Sequence, residues 1–183
     1  MKKILILQGG FNEEHKVSLN TAKQISKALK KLKIYFRTLT VNPKTFKKDI
    51  MKFSTNYICF NALHGTFGED GQIQKILKNK KFLFTHSGQL SSAKCFNKLK
   101  SKKIINKFNI TTPSFEIIKC KHINPKYLKI INKKFSKFVI KPVSSGSSYG
   151  LTIVKSKRDL KNFFNKINKF KNNFKNNDQF IIE

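Results

Sequence analysis

The sequence predicts an α/β domain followed by an α+β domain. Strand-like and helix-like segments alternate through the first half, the pattern of a parallel sheet covered by helices. In the second half, strand-like segments are joined by a short glycine–serine loop, which suggests an antiparallel sheet. The chain's eight glycines fall in only four places, Gly9–Gly10, Gly65/Gly68/Gly71, Gly88 and Gly146/Gly150, at the ends of predicted strands.

The elements follow in order. Lys3–Leu7 is apolar and stopped by Gly9–Gly10, so it reads as a buried strand. Residues 16–32 read as a helix, with Val17, Ala22, Ile25, Ala28, Leu29 and Leu32 on one face and lysines opposite. Residues 34–40 alternate like a strand, and Pro43 opens a short helix through Met51. Tyr57–Phe60 is a strand ending at Asn61–His64, residues 71–77 have helical spacing, and residues 82–84 form a short strand. Residues 90–97 read as the link between domains. Beyond it come a helix over 97–108, strands over 114–119, 138–142 and 151–154, and a helix with Leu160, Phe163, Phe164, Ile167 and Phe170 on one face. Residues 172–177 (NNFKNN) read as a loop. Residues 179–183 read as a strand with no turn after it, expected to be an exposed edge that seeks a partner.

With 39 Lys+Arg against 9 Asp+Glu, the formal charge is +30 over 183 residues. The hydrophobic content of 39% excludes a disordered polycation. Nucleic-acid binding is the obvious partner class, but the details argue against it. Only Arg37 and Arg158 are arginines, whereas base readout and bidentate phosphate clamping favour the arginine fork. The lysines are spread along the chain, and Lys, Asn, Ile and Phe make up about half of it, a coding bias. No apolar run approaches a membrane span, so no membrane is expected. Cys59, Cys95 and Cys120 lack metal-type spacing and read as reduced thiols of a cytoplasmic protein.

Three clusters carry chemistry. Residues 9–19 (GGFNEEHKVSL) run from a strand through glycines into a helix. Free N–H groups there can bind an anion, Glu13 and Glu14 suit an ammonium better, and an ordinary capped helix start also explains the pattern. Residues 62–71 (ALHGTFGEDG) follow a predicted parallel strand, where open α/β sheets bind ligands. His64 could donate to a developing anion, with Glu69 and Asp70 capping the next helix; a structured turn is the alternative. One histidine with two adjacent acids is weak as a metal site. Residues 140–150 (IKPVSSGSSYG) put Lys141 before a loop of serines and glycines, which either cradles phosphate or is a flexible hairpin turn.

In order, residues 9–22, 62–74, 84–102 (FTHSGQLSSAKCFNKLKSK), 138–151 (FVIKPVSSGSSYGL) and 180–183 (FIIE) resemble the D-alanine–D-alanine ligases of the ATP-grasp superfamily. The resemblance implies a Rossmann-like pre-ATP-grasp domain at residues 1–95 and an ATP-grasp central subdomain at residues 96–183. It implies phosphorylation of the carboxylate of one D-alanine by ATP, then attack by the amine of a second, for peptidoglycan precursor synthesis. Glu14 matches the glutamate that holds the first D-alanine's ammonium, Ser147 the serine linked to that glutamate, and His64 the histidine beside the reacting carboxylate. Lys98 and Lys141 match the two ATP-phosphate lysines. Gly146, Ser147 and Ser148 match the phosphate-covering loop, and Glu183 the start of the adenine-contacting segment. A homodimer is a further implication.

The sequence departs from the family's pattern in places. Phe96-Asn97-Lys98 stands where the family usually has Met-Asp-Lys, and Val143-Ser144-Ser145 where charged residues are common. The family's third domain, with its acidic ligands for Mg2+ or Mn2+ and its second-substrate residues, is not in the sequence. The expectation is therefore a partial chain without turnover by itself. The rival readings are a non-catalytic nucleotide-binding fragment and a ligase using another acceptor, D-lactate or D-serine.

Overall fold

The computed structural model describes residues 3–169 and 174–183. The chain divides into two compact units, Met1–Phe96 and Asn97–Glu183, each with its own sheet and core. Phe170, Asn172 and Asn173, read above as part of a helix face and a loop, lie outside the described residues.

The first unit runs β1 (Lys3–Gly9), α1 (His15–Lys31), β2 (Phe36–Val41), α2 (Phe46–Asp49), β3 (Tyr57–Asn61), α3 (Gln72–Asn79), β4 (Leu83–Phe84) and α4 (Gln89–Phe96), with a 3-10 turn at Ile50–Lys52 after α2. Its four strands are parallel, in the order β2-β1-β3-β4. β1 is apolar at successive positions because both sides of a parallel sheet are covered. Leu5 and Leu7 join Phe46, Cys59, Ile73 and Leu77 in one core. Ile6 joins Ala22, Leu29 and Ala62 in another. Full burial of each such side chain contributes about 1.5–3 kcal/mol. The face of α1 that is covered is Ser18, Ala22, Ile25 and Leu29. Val17, Ala28 and Leu32 lie off that stripe and are exposed, and Leu32 is already past the helix end. The segment 90–97, read as a link, is mostly helix: α4 spans Gln89–Phe96.

The second unit runs α5 (Lys98–Lys107), β5 (Glu116–Lys119), α6 (Pro125–Lys134), β6 (Phe138–Pro142), β7 (Thr152–Val154), α7 (Lys157–Lys169) and β8 (Gln179–Ile182). The sheet is antiparallel in the order β5-β8-β6-β7. β8 is therefore a central strand and not the exposed edge expected from its place in the sequence. It pairs Ile117 with Ile181 on one side and Lys141 with Ile181 on the other. Phe180, Ile181 and Ile182 are buried, so the reason for expecting association through this strand falls away. α6 and α7 cover one face, where Leu128, Ile131, Leu160, Phe163 and Ile167 pack on Ile118, Ile140, Phe180 and Ile182. The sequence reading missed α6, although its start is well signalled. Asn124 accepts from the Tyr127 N–H at 2.9 Å, and Pro125 occupies the first turn.

Candidate functional site

Each unit carries one candidate site. In the first, it lies where β1 and β3 end. Gly9 closes β1 with its N–H donating to Ser18 Oγ at 2.8 Å, and that hydroxyl donates to the Ala62 carbonyl at 2.8 Å. Ser18 on α1 thus ties the ends of two strands together. The turn from Gly10 into α1 is built by Asn12, whose Oδ1 accepts from the Glu14 N–H at 3.0 Å. Its Nδ2 donates to the carbonyls of His64 at 2.8 Å and Thr66 at 3.1 Å. Asn12 therefore brings the first two sequence clusters together, and Glu14 follows at the helix cap, 4% exposed.

Gly65 shows how close these clusters come. Its φ is +70°, and a Cβ there would lie 2.2 Å from Glu14 Oε2. The backbone conformation favours glycine, and any side chain there would have to displace the end of Glu14. The His64 ring contacts Thr21 Oγ1 through Nε2 at 2.9 Å, with Glu69 Oε1 3.7 Å from Nδ1. Glu69 does not cap α3 as expected; it accepts from the Gly65 N–H at 3.1 Å and so braces the turn. Asp70 does serve the helix start, accepting from Gln72 N at 3.0 Å. The result is a buried carboxylate and an imidazole at the C-terminal ends of parallel strands, suited to an ammonium and a carboxylate.

In the second unit, α5, β6 and β8 bring lysines around one acid. Asn97 caps α5, accepting from the Lys100 N–H at 2.9 Å, and the Lys98 N–H donates to the Val143 carbonyl at 2.9 Å. Asparagine is as good a cap as aspartate. These two bonds seat α5 against the end of β6. Lys98 Nζ reaches the Ser145 carbonyl at 2.7 Å. One turn on, Lys102 Nζ is 2.8 Å from Glu183 Oε2, and Lys141 pairs with Glu183 Oε1.

Burial pushes Lys98's pKa down, the neighbouring Lys141 charge adds to that, and Glu183 opposes it. Burial alone would raise the pKa of Glu183; hydrogen bonds from Lys102 and Lys141 outweigh it and hold the carboxyl below its ordinary value. Two ammoniums on one carboxylate, with that of Lys98 nearby, leave the cluster positive, the right sign for a polyphosphate. The following loop puts Ser147 at φ +41° and Ser148 at φ +60°, both exposed. Such left-handed non-glycine residues cost on the order of 1–3 kcal/mol each and concentrate at ligand clamps.

Lys98, Lys141 and Glu183 are therefore gathered in one place, with residues 145–148 beside them. Glu14 and His64 are gathered in the other unit. Lys102 was missed in the sequence reading, lost among so many lysines; its spacing of four from Lys98 was the available signal. Among the described residues no group of three or more His, Cys, Asp or Glu is placed to hold a metal ion.

No protein-family model matches the chain. A D-alanine–D-alanine ligase of Pelagibacter ubique is 45% identical over 88% of this chain, and one from Wolbachia of Brugia malayi is 40% identical over 90%. The matches cover 53% and 48% of those proteins, so the chain spans about half the length of the curated relatives it matches. Among solved structures, the D-alanine–D-alanine ligase of Bacillus anthracis superposes with a TM-score of 0.79 at 28% identity, covering all of this chain and 57% of that one. Its complex with ATP gives a TM-score of 0.76 at 27% identity, covering all of this chain and 58% of that one. The VanG D-Ala:D-Ser ligase of Enterococcus faecalis shares the fold at a TM-score of 0.69 and 23% identity, again over all of this chain and 62% of its own. In sequence and in fold, the chain is a homologue of the D-alanine–D-alanine ligases, matched over about half of their length.

Proposed function

We propose that this chain forms the first-substrate and nucleotide-binding part of a cytoplasmic, ATP-dependent D-alanine–D-alanine ligase. The observation that carries the reading is the gathering of Lys98, Lys102 and Lys141 around Glu183, beside a serine-rich loop. A half-buried cationic cluster of this kind has little purpose in a core, and fits a triphosphate. ATP supplies the phosphoryl group that makes a carboxylate a better acyl donor. Lys98 and Lys141 hold its phosphates as point charges, and residues 146–148 cover them.

In the other unit, Glu14 receives the ammonium of the first D-alanine through charge-assisted hydrogen bonds. His64, steadied by Thr21, faces the carboxylate. Phosphoryl transfer depends on position and on positive charge, and these residues supply both. The described residues offer Mg2+ or Mn2+ no cluster of ligands, and the phosphate charge is met here by lysine. Among the described residues no helix is long and apolar enough to cross a membrane.

The test is ADP release by a protein that carries this chain within the length of its relatives, with D-alanine and magnesium. D-alanine-dependent ADP and phosphate, with D-alanyl-D-alanine formed, is the expected result. Absence of D-alanine-dependent ADP would sink the reading. D-lactate or D-serine as the better second substrate would move the protein to another ligase of the same kind.

A further inference from the structure

Among the described residues of the second unit, Lys102 is the most buried cation. Its residue is 9% exposed. Its ammonium donates to the Pro113 carbonyl at 3.0 Å, pairs with Glu183 Oε2 at 2.8 Å and sits 5.1 Å from the centre of the Phe115 ring. An ammonium has three N–H donors and no acceptor, so these contacts use much of its capacity. A lysine held in this way is poorly placed to reach out to a phosphate. Lys98 and Lys141 are more exposed.

The division of Glu183 is the informative point. One oxygen faces Lys102 and the other faces Lys141. A carboxylate left with Lys141 alone would direct its whole charge at that ammonium. With Lys102 on Oε2, three positive side chains share one negative one, and the cluster keeps a net charge of about +2 for a ligand. We infer that Lys102 is a positioning residue of the nucleotide site: by holding Glu183 Oε2 it fixes that carboxylate and leaves Lys141 charge to offer a phosphate. This rests on the nucleotide reading proposed above. It adds to that reading a residue that acts through Glu183 and does not touch ATP.

The experiment uses a protein that carries this chain within the length of its relatives, and inorganic tripolyphosphate, with binding measured well below the melting temperature of every variant. Lys102→Met reduces the cluster to about +1 and is expected to weaken binding about tenfold, the equivalent of one lost charge-assisted interaction. Glu183→Gln raises it to about +3 and should bind more tightly than wild type. The double variant Lys102→Met/Glu183→Gln returns to about +2 and should recover near-wild-type affinity, whereas Lys102→Arg should stay within a few-fold of wild type. A purely structural lysine would change melting temperature and leave this order of affinities unmoved. A double variant as weak as Lys102→Met would overturn the inference, because Lys102 would then act on the phosphate directly. Wild-type chain with no affinity for tripolyphosphate would instead overturn the nucleotide reading. The pairing is then judged by melting temperature, where failure of Glu183→Gln to restore the loss caused by Lys102→Met overturns it too.

Discussion

At the scale of single residues, both sites are held by side chains that bond backbone and leave other side chains to meet a ligand. Ser18 is the clearest case: fully buried, it satisfies the Gly9 N–H and the Ala62 carbonyl together. Ser18→Ala leaves both orphaned and should cost about 1–3 kcal/mol, read as a lower urea midpoint for the first unit. Glu183 makes a second prediction, in pH. Its folded pKa lies below the ordinary 4.5, so its stabilisation is complete above that value and is lost as pH falls through the folded one. Acid unfolding of the second unit should be blunted in Glu183→Gln, whose stability would change less with pH over that range. The positions of Glu14, His64 and Lys141 on predicted elements were legible in the sequence because glycine is scarce and marks the loops, whereas Lys98 was singled out only through the family resemblance. The role of Lys102 was not, since burial distinguishes it from its many neighbours and burial is a property of the fold.

Among elements, the parallel sheet was the most legible part. A short, continuous apolar run such as Leu5–Leu7, too short for a helix and closed by a glycine turn, suits a strand covered on both sides. α6 was hidden because only Leu128 and Ile131 of its ten residues are buried, and lysines fill much of the rest. β8 was recognised as a strand but placed wrongly, because strand order depends on pairing across the sheet and not on sequence order. Its centrality predicts a large effect from a small change. Ile182→Ala removes a fully buried side chain from the core under α6 and α7, and should destabilise the second unit by about 2–5 kcal/mol. Hydrogen exchange would show the loss in β5, β6 and β8, with the amides of β1 and β3 unaffected.

For the molecule as a whole, a formal charge of +30 means that folding works against self-repulsion. Raising salt from about 0.05 M to 0.5 M should therefore raise the melting temperature, while tripolyphosphate binding weakens under the same screening. A melting temperature that falls with salt would show that attractive pairs such as Lys102–Glu183 outweigh the repulsion. The strand order also bears on how the protein is made. In the first unit each new strand finds a neighbour already synthesised: β2 and β3 join β1, and β4 joins β3. In the second, β5 and β6 both await β8, and roughly sixty residues separate β5 from it. On a ribosome moving at about 5–20 residues per second, β5 waits for seconds with its hydrogen-bonding groups unmatched. That interval is when a nascent chain of this kind is most open to chaperones and to its own neighbours on the same message.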